Sequence, residues 1–199
     1  MQVTPVSPEL LVAEVTELVA ARSGRVRLAV DGPPPTHPRA LADAVAVELR
    51  ARGRATIVVD AADYLRPASL RLELGRTDPD MFLDGWLDVA GLRREVLDPA
   101  AADGSGRVLP RLWDADADRA HRDAYVALPA DGVVVLAGAL LLGRGLPLDA
   151  AVHLRMTAKA LARRLPDEQR WTLPAYTRYA MENTPEENAN LVVLADHPD

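Results

Sequence analysis

Apolar positions along the chain follow two alternating periods. Leu11, Val15, Leu18 and Val19 share one helical face. They follow Ser7-Pro8, a capping residue and a proline suited to the first helical position, and the pattern stops near Ser23-Gly24. Val26, Leu28 and Val30 then alternate, which predicts a strand over 25–30. Leu41, Val45 and Leu49, four apart, mark a second helix ending near Gly53. The β-branched run 56–59 reads as a buried parallel strand. Strand, turn, helix and strand within about 35 residues make a βαβ unit.

The middle of the chain is less regular. Residues 83–97 carry Trp86, Val89, Leu92 and Val96 at helical spacing, residues 103–107 form a Gly/Ser turn, and 108–113 reads as a strand. The continuous apolar run 133–142 is the strongest strand signal. A weaker strand over 151–154, a basic helix over 157–165, a helix over 173–182 and a last strand over 191–194 follow. The alternation predicts an α/β fold: one three-layer domain over 1–199 with a mainly parallel central sheet, an N-terminal helix within 1–24, and a lid-like helix and C-terminal helices over about 155–185. Ligands in such sheets bind beyond the carboxyl ends of the strands.

Composition narrows the chemistry. The 199 residues are 49% hydrophobic, enough for a substantial core. The absence of cysteine excludes disulfides, Cys-ligated metal and a thiol nucleophile. With 29 acidic against 23 basic side chains and a net charge of −6, nucleic acid is not an expected partner. Lys159 is the one lysine; the other cations are arginines. No apolar run reaches the roughly 18 residues of a membrane helix. Glu9, Glu14 and Glu17 interrupt the first apolar stretch, so no signal peptide and no membrane partner are expected, and the location is read as cytoplasmic. His121, His153 and His197 lack metal-ligand spacing and read as surface or capped histidines; no metal site is expected.

The predicted strand ends carry the candidate residues. The first ends in Asp31-Gly32, followed by Pro-Pro-Pro-Thr-His-Pro-Arg-Ala at 33–40, where a nucleotide-binding βαβ unit would hold a phosphate loop. The prolines at 33, 34, 35 and 38 have no N–H to offer a phosphate. Thr36 or His37 can cap the following helix, whose first turn holds Arg39; an anion site and a rigid proline turn with a solvated arginine both fit. Asp60 and Asp63 follow the second strand, where a carboxylate can take a hydroxyl proton or cap a turn.

Five segments together resemble the uridine kinase group of P-loop kinases (the uridine kinase/phosphoribulokinase family). They are LAVDGPPPTHPRALADAVAVEL, VVDAADYLRPASLR, GRTDPDMFLDGWLDVAGLRREVLDP, VVVLAGALLLGRGLPLDAAVHL and YTRYAMENTPEENANLVVLADHPD, in family order over residues 25–199. The general type is similar to the uridine kinase-like proteins of actinobacteria, and the arginine bias fits a GC-rich genome. The family loop has the form Gly-x-x-x-x-Gly-Lys-Ser/Thr; aligned on Asp31-Gly32, this chain has His37, Pro38 and Arg39 at its last three positions. The resemblance implies ATP and magnesium as cofactors and a nucleoside, uridine or cytidine, as the small-molecule partner. By resemblance Asp60, with Asp63 as its neighbour, is the catalytic acid-base group. Asp31, Gly32, Thr36, His37, Arg39, Arg163 and Arg164 would lie about the phosphates, the last two from a lid. Tyr64, Arg66, Arg71 and Asp88 would surround the nucleoside, and Trp86 reads as core. Two functional classes follow: a nucleoside phosphotransferase, and a non-catalytic relative that binds a nucleoside, nucleotide or partner protein in the inherited cleft.

Overall fold

The structure, a computed structural model, describes residues 7–196. Helix α1 (Pro8–Ala20) starts where the Ser7 hydroxyl accepts the Leu10 N–H, and it buries Val15 and Val19. Strand β1 (Val26–Asp31), helix α2 (Pro38–Ala51) and strand β2 (Thr56–Asp60) form the expected βαβ unit. Three short helices follow: α3 (Ala68–Arg71), α4 (Pro79–Asp84) and α5 (Val89–Leu92), the last running on through a wider turn over Arg93–Leu97. Strands β3 (Arg107–Val108), β4 (Trp113–Asp114), β5 (Arg119–Ala120) and β6 (Val126–Ala127) make two minimal antiparallel pairs, β3 with β6 and β4 with β5. Strands β7 (Val133–Gly138) and β8 (Ala150–Arg155), helices α6 (Ala158–Arg164) and α7 (Leu173–Glu182), and strand β9 (Leu191–Leu194) complete the order.

The five long strands form one parallel sheet in the order β2-β7-β1-β8-β9. The strands over 26–30, 56–59 and 133–136 therefore lie side by side, as their apolar runs predict. Pleating divides their side chains between two cores. Val26, Leu28, Val30, Val133, Val135 and Val152 pack with Val15, Val19, Val45 and Leu49 of α1 and α2. Ala29, Val134, Leu136 and Val59 face the other way, onto Tyr64, Leu83, Leu92, Leu97 and Tyr179. Helix, sheet and helix layers result, and each fully buried Val or Leu contributes about 1.5–3 kcal/mol. Register aligns the strand ends: Asp31 lies beside Gly138 and His153, and Asp60 beside Ala137.

Three predicted elements differ. The helix expected over 83–97 breaks at Gly85–Asp88, because Leu87 bridges to Leu65 and the Asp88 carboxylate starts a new helix by accepting the Gly91 N–H at 2.8 Å. The strand over 108–113 splits into β3 and β4 around Pro110, which has no N–H for a ladder. The strand over 133–142 ends at Gly138, and Leu140 turns the chain through a left-handed φ of 62°. Leu141 and Leu142 then donate their N–H groups to the Asp31 carboxylate and the Tyr179 hydroxyl. His197 and the closing Pro198 lie outside the described residues.

Candidate active site

The loop between β1 and α2 is closed on itself. Pro33, Pro34, Pro35 and Pro38 have no N–H. The N–H groups of Gly32, Thr36 and His37 donate to the carbonyls of Gly138, Pro33 and Pro34 at 2.9–3.0 Å. The Thr36 hydroxyl also turns inward, to the Pro33 carbonyl at 2.8 Å. His37 takes the left-handed conformation, φ 53°, that glycine adopts most easily, and Pro38 opens α2 behind it. Gly32 is required by packing, since a Cβ there would lie 2.5 Å from the Thr36 hydroxyl and 2.8 Å from Leu154 Cβ. Arg164, from the predicted lid, clamps this arrangement by donating to the Pro35 carbonyl at 2.6 Å and the Ala195 carbonyl at 3.1 Å. Arg163 is exposed on the outer face of α6.

Asp31, expected beside a phosphate, is fully buried. Its Oδ1 accepts the Leu141 N–H at 2.9 Å, and its Oδ2 accepts the Tyr179 hydroxyl at 3.0 Å and lies 2.7 Å from His153 Nδ1. Burial and the neighbouring Asp31 charge push the Tyr179 hydroxyl pKa up. His153, read from the sequence as a surface or capped histidine, is buried and partnered by Asp31.

Beyond the ends of β1, β2 and β7 lies a cleft of about 620 Å³. Gly32, Ala137, Gly138 and Leu140 line it near the sheet, and Asp60, Arg39 and Asp43 supply its acidic and basic groups. Asp60 Oδ1 caps the turn after β2 by accepting the Ala62 N–H at 2.9 Å, while Oδ2 stands 3.6 Å from Arg39. Arg39 is held by Asp43, both carboxylate oxygens lying 3.0 Å from its Nε. Phe82, Trp86 and Tyr176 add an aromatic wall: Phe82 meets Trp86 edge-on at 5.2 Å and Tyr176 at 5.9 Å, with Trp171 packed at 5.5 Å. Half of the chain's three Trp, four Tyr and one Phe gather here. Arg144 completes the lining; it donates to the Leu140 carbonyl at 3.3 Å, and burial lowers its pKa.

The structure separates the predicted residues into two groups. Asp60, Arg39, His37 and Gly32 meet in the cleft. Asp63 does not line it; this carboxylate faces His121 Nε2 at 3.4 Å, and burial, reinforced by Asp60, raises its pKa. Tyr64 is core, fully buried, with its hydroxyl donated to the Leu109 carbonyl at 2.6 Å. Arg71 is also buried, bonded to the Arg66 and Ala115 carbonyls and stacked 5.2 Å from the Trp86 ring centroid. Arg66 joins the same packing through its backbone, donating to the Trp86 carbonyl, and Asp88 is a helix cap. Trp86, expected in the core, faces the cleft. Arg144 and Tyr176 escaped the sequence reading, although Gly143 and Gly145, both at positive φ, flag a tight turn around Arg144.

No protein-family model matches the chain, and no curated protein matches it in sequence. Solved structures do. A possible uridine kinase from Bacillus stearothermophilus superimposes with a TM-score of 0.74 at 19% identity, over 92% of this chain and 97% of that one. A protein assigned as a fructose transport system kinase from Silicibacter gives 0.60 at 22% identity, over 91% and 98%. A D-glycerate 3-kinase from Cryptococcus neoformans gives 0.56 at 14% identity, over 88% and 80%. The chain shares the fold of these structures, a parallel sheet layered between helices. The ATP and magnesium that the sequence resemblance implies do not fit the residues present. A phosphate cradle needs inward N–H groups and a lysine. Here the N–H groups of Gly32, Thr36 and His37 bond to carbonyls, and the lone lysine is Lys159 of α6. Among the described residues no cluster of three His, Asp or Glu side chains is placed to hold a metal ion.

Proposed function

We propose that the chain is a uridine kinase-like protein whose cleft binds a nucleoside, uridine or cytidine by the resemblance, without using magnesium-ATP. The observation that carries this reading is the meeting of the Asp60 carboxylate with the Phe82, Trp86 and Tyr176 rings in one cleft. A flat base stacks or packs edge-on against such rings, and a ribose hydroxyl donates to such a carboxylate. The closed loop argues against phosphate binding next to it. Calorimetry and thermal unfolding with uridine, cytidine and magnesium-ATP test the reading. A nucleoside at a hundred times its Kd stabilises by about 2.7 kcal/mol; uridine or cytidine is expected to raise Tm and magnesium-ATP to leave it unchanged. No shift with any nucleoside overturns the proposal.

One feature favours phosphotransfer as a second reading: Asp60 ends β2, and a strand end holds a general base better than a loop does. Uridine monophosphate and the nucleoside diphosphate formed from uridine and magnesium-ATP by wild-type protein, and abolished in folded Asp60→Asn, would establish it.

A further inference from the structure

A second polar centre sits between β1 and β8. Asp31 and His153 are register partners on adjacent strands, and both are buried, Asp31 completely and His153 to 7% exposure. The Asp31 carboxylate is an acceptor that already receives the Leu141 N–H and the Tyr179 hydroxyl. Tyr179 can give its proton only there, because its oxygen accepts the Leu142 N–H. At 2.7 Å from Asp31, Nδ1 of His153 therefore carries a proton and donates it to the same carboxylate. That fixes the tautomer, so in the neutral ring Nε2 presents a lone pair.

Among the described residues Nε2 has no hydrogen-bond partner, and it is not sealed from solvent. His153 lines a cavity of about 250 Å³ beneath α6 and α7, with Met156, Tyr176 and Tyr179 also on its wall. A nitrogen acceptor needs a donor. Arg155 and Glu186, both on the cavity wall, pair at 2.8 Å and offset each other's charge, while the Asp31 charge behind the ring disfavours an anion.

We propose that this cavity is a second ligand site that takes a neutral hydroxyl-bearing small molecule, a sugar or polyol, with His153 Nε2 accepting the hydroxyl hydrogen bond. Asp31 acts as a positioning residue that holds the ring in the accepting tautomer. The site does not depend on the nucleoside reading of the larger cleft, although the two cavities share Gly32, Leu140 and Tyr176.

Long-range proton–nitrogen correlation spectra of the full chain, labelled at histidine nitrogen, test the proposal with D-ribose, glycerol and inorganic phosphate as probes. The expected free-state pattern for His153 is a protonated Nδ1 and a bare Nε2. Ribose or glycerol is expected to shift Nε2 saturably with little movement of Nδ1, and His153→Gln to weaken that binding by roughly tenfold or more. Single Gln variants of His37, His121 and His197 assign the His153 signal by elimination if His153→Gln fails to fold. A protonated Nε2 in the free protein, whether Nδ1 is bare or also protonated, overturns the proposal. So does a His153 signal that ignores both polyols up to about 100 mM, or one that responds to phosphate alone.

Discussion

The segments after β1 and after β2 leave the same edge of one sheet, yet they treat their polar groups in opposite ways. After β1, Asp31, Gly32, Thr36 and His37 all bond to other parts of the chain, and four prolines remove further donors. After β2, Asp60 commits one carboxylate oxygen to a turn and leaves the other facing Arg39 across a 3.6 Å gap in an aromatic-walled cleft. One sheet edge thus leaves a cleft open on one side and closes the other. What distinguishes the two sides is which hydrogen-bonding capacity remains open, through the four prolines and the inward bonds on one side and the second Asp60 oxygen on the other.

Substitutions can break this contrast, and the largest effect is expected at Asp31. Asp31→Ala leaves the Leu141 N–H, the Tyr179 hydroxyl and His153 without their buried acceptor, so denaturant unfolding should show a loss of about 3–5 kcal/mol. A loss below about 1 kcal/mol would mean that the closed side is not structural. On the open side, Asp60→Asn and Trp86→Ala are each expected to lower uridine affinity by roughly tenfold or more while the circular dichroism spectrum stays native. Unchanged affinity in both variants would move the ligand elsewhere.

His37→Gly removes the left-handed strain of a non-glycine residue at the cost of a more flexible unfolded chain, and the net change should stay within about 1 kcal/mol. Asp63→Asn sharpens the comparison through pH. The pKa of Asp63 is raised in the folded state, so its contribution favours folding at acid pH, where it is protonated, and is lost as pH rises through the folded value. The variant should therefore match wild type in acid, equal or exceed it in stability at neutral pH, and bind uridine unchanged. The smallest expected effect is at Arg39: magnesium-ATP calorimetry should give no heat of binding in wild type or in Arg39→Ala. A micromolar Kd lost on that substitution would reopen the closed side.

The layers of the fold were legible because their signal is periodic. Val26-Leu28-Val30, the run 56–59 and the run from Val133 specify strands, and Leu41-Val45-Leu49 specifies α2, all through local spacing. Asp60 was legible for the same reason, as the residue that ends a clear strand. Tyr64, Arg71 and Asp88 were not, because a motif places a residue near a ligand without saying which way its side chain turns. Tyr64 turns to Leu109 and Arg71 to Trp86, contacts made across the fold. His153 lies 122 positions from the carboxylate it pairs with, so spacing alone could not join them. The early end of β7 has the same origin, since Leu141 and Leu142 leave the strand pattern for acceptors on β1 and α7.

The order of strands also bears on how the chain reaches this structure. The first two strands do not touch each other in the ladder: β7 stands between them, and Val26 waits for Val133, more than a hundred residues downstream. On a ribosome the opening βαβ unit has helices to form but no strand neighbour to accept. Closing so long a loop precedes any reward from sheet pairing, which slows folding relative to chains with local contacts. Refolding should accordingly show helix signal first, and protection of the β1 amides from hydrogen exchange only once β7 has inserted.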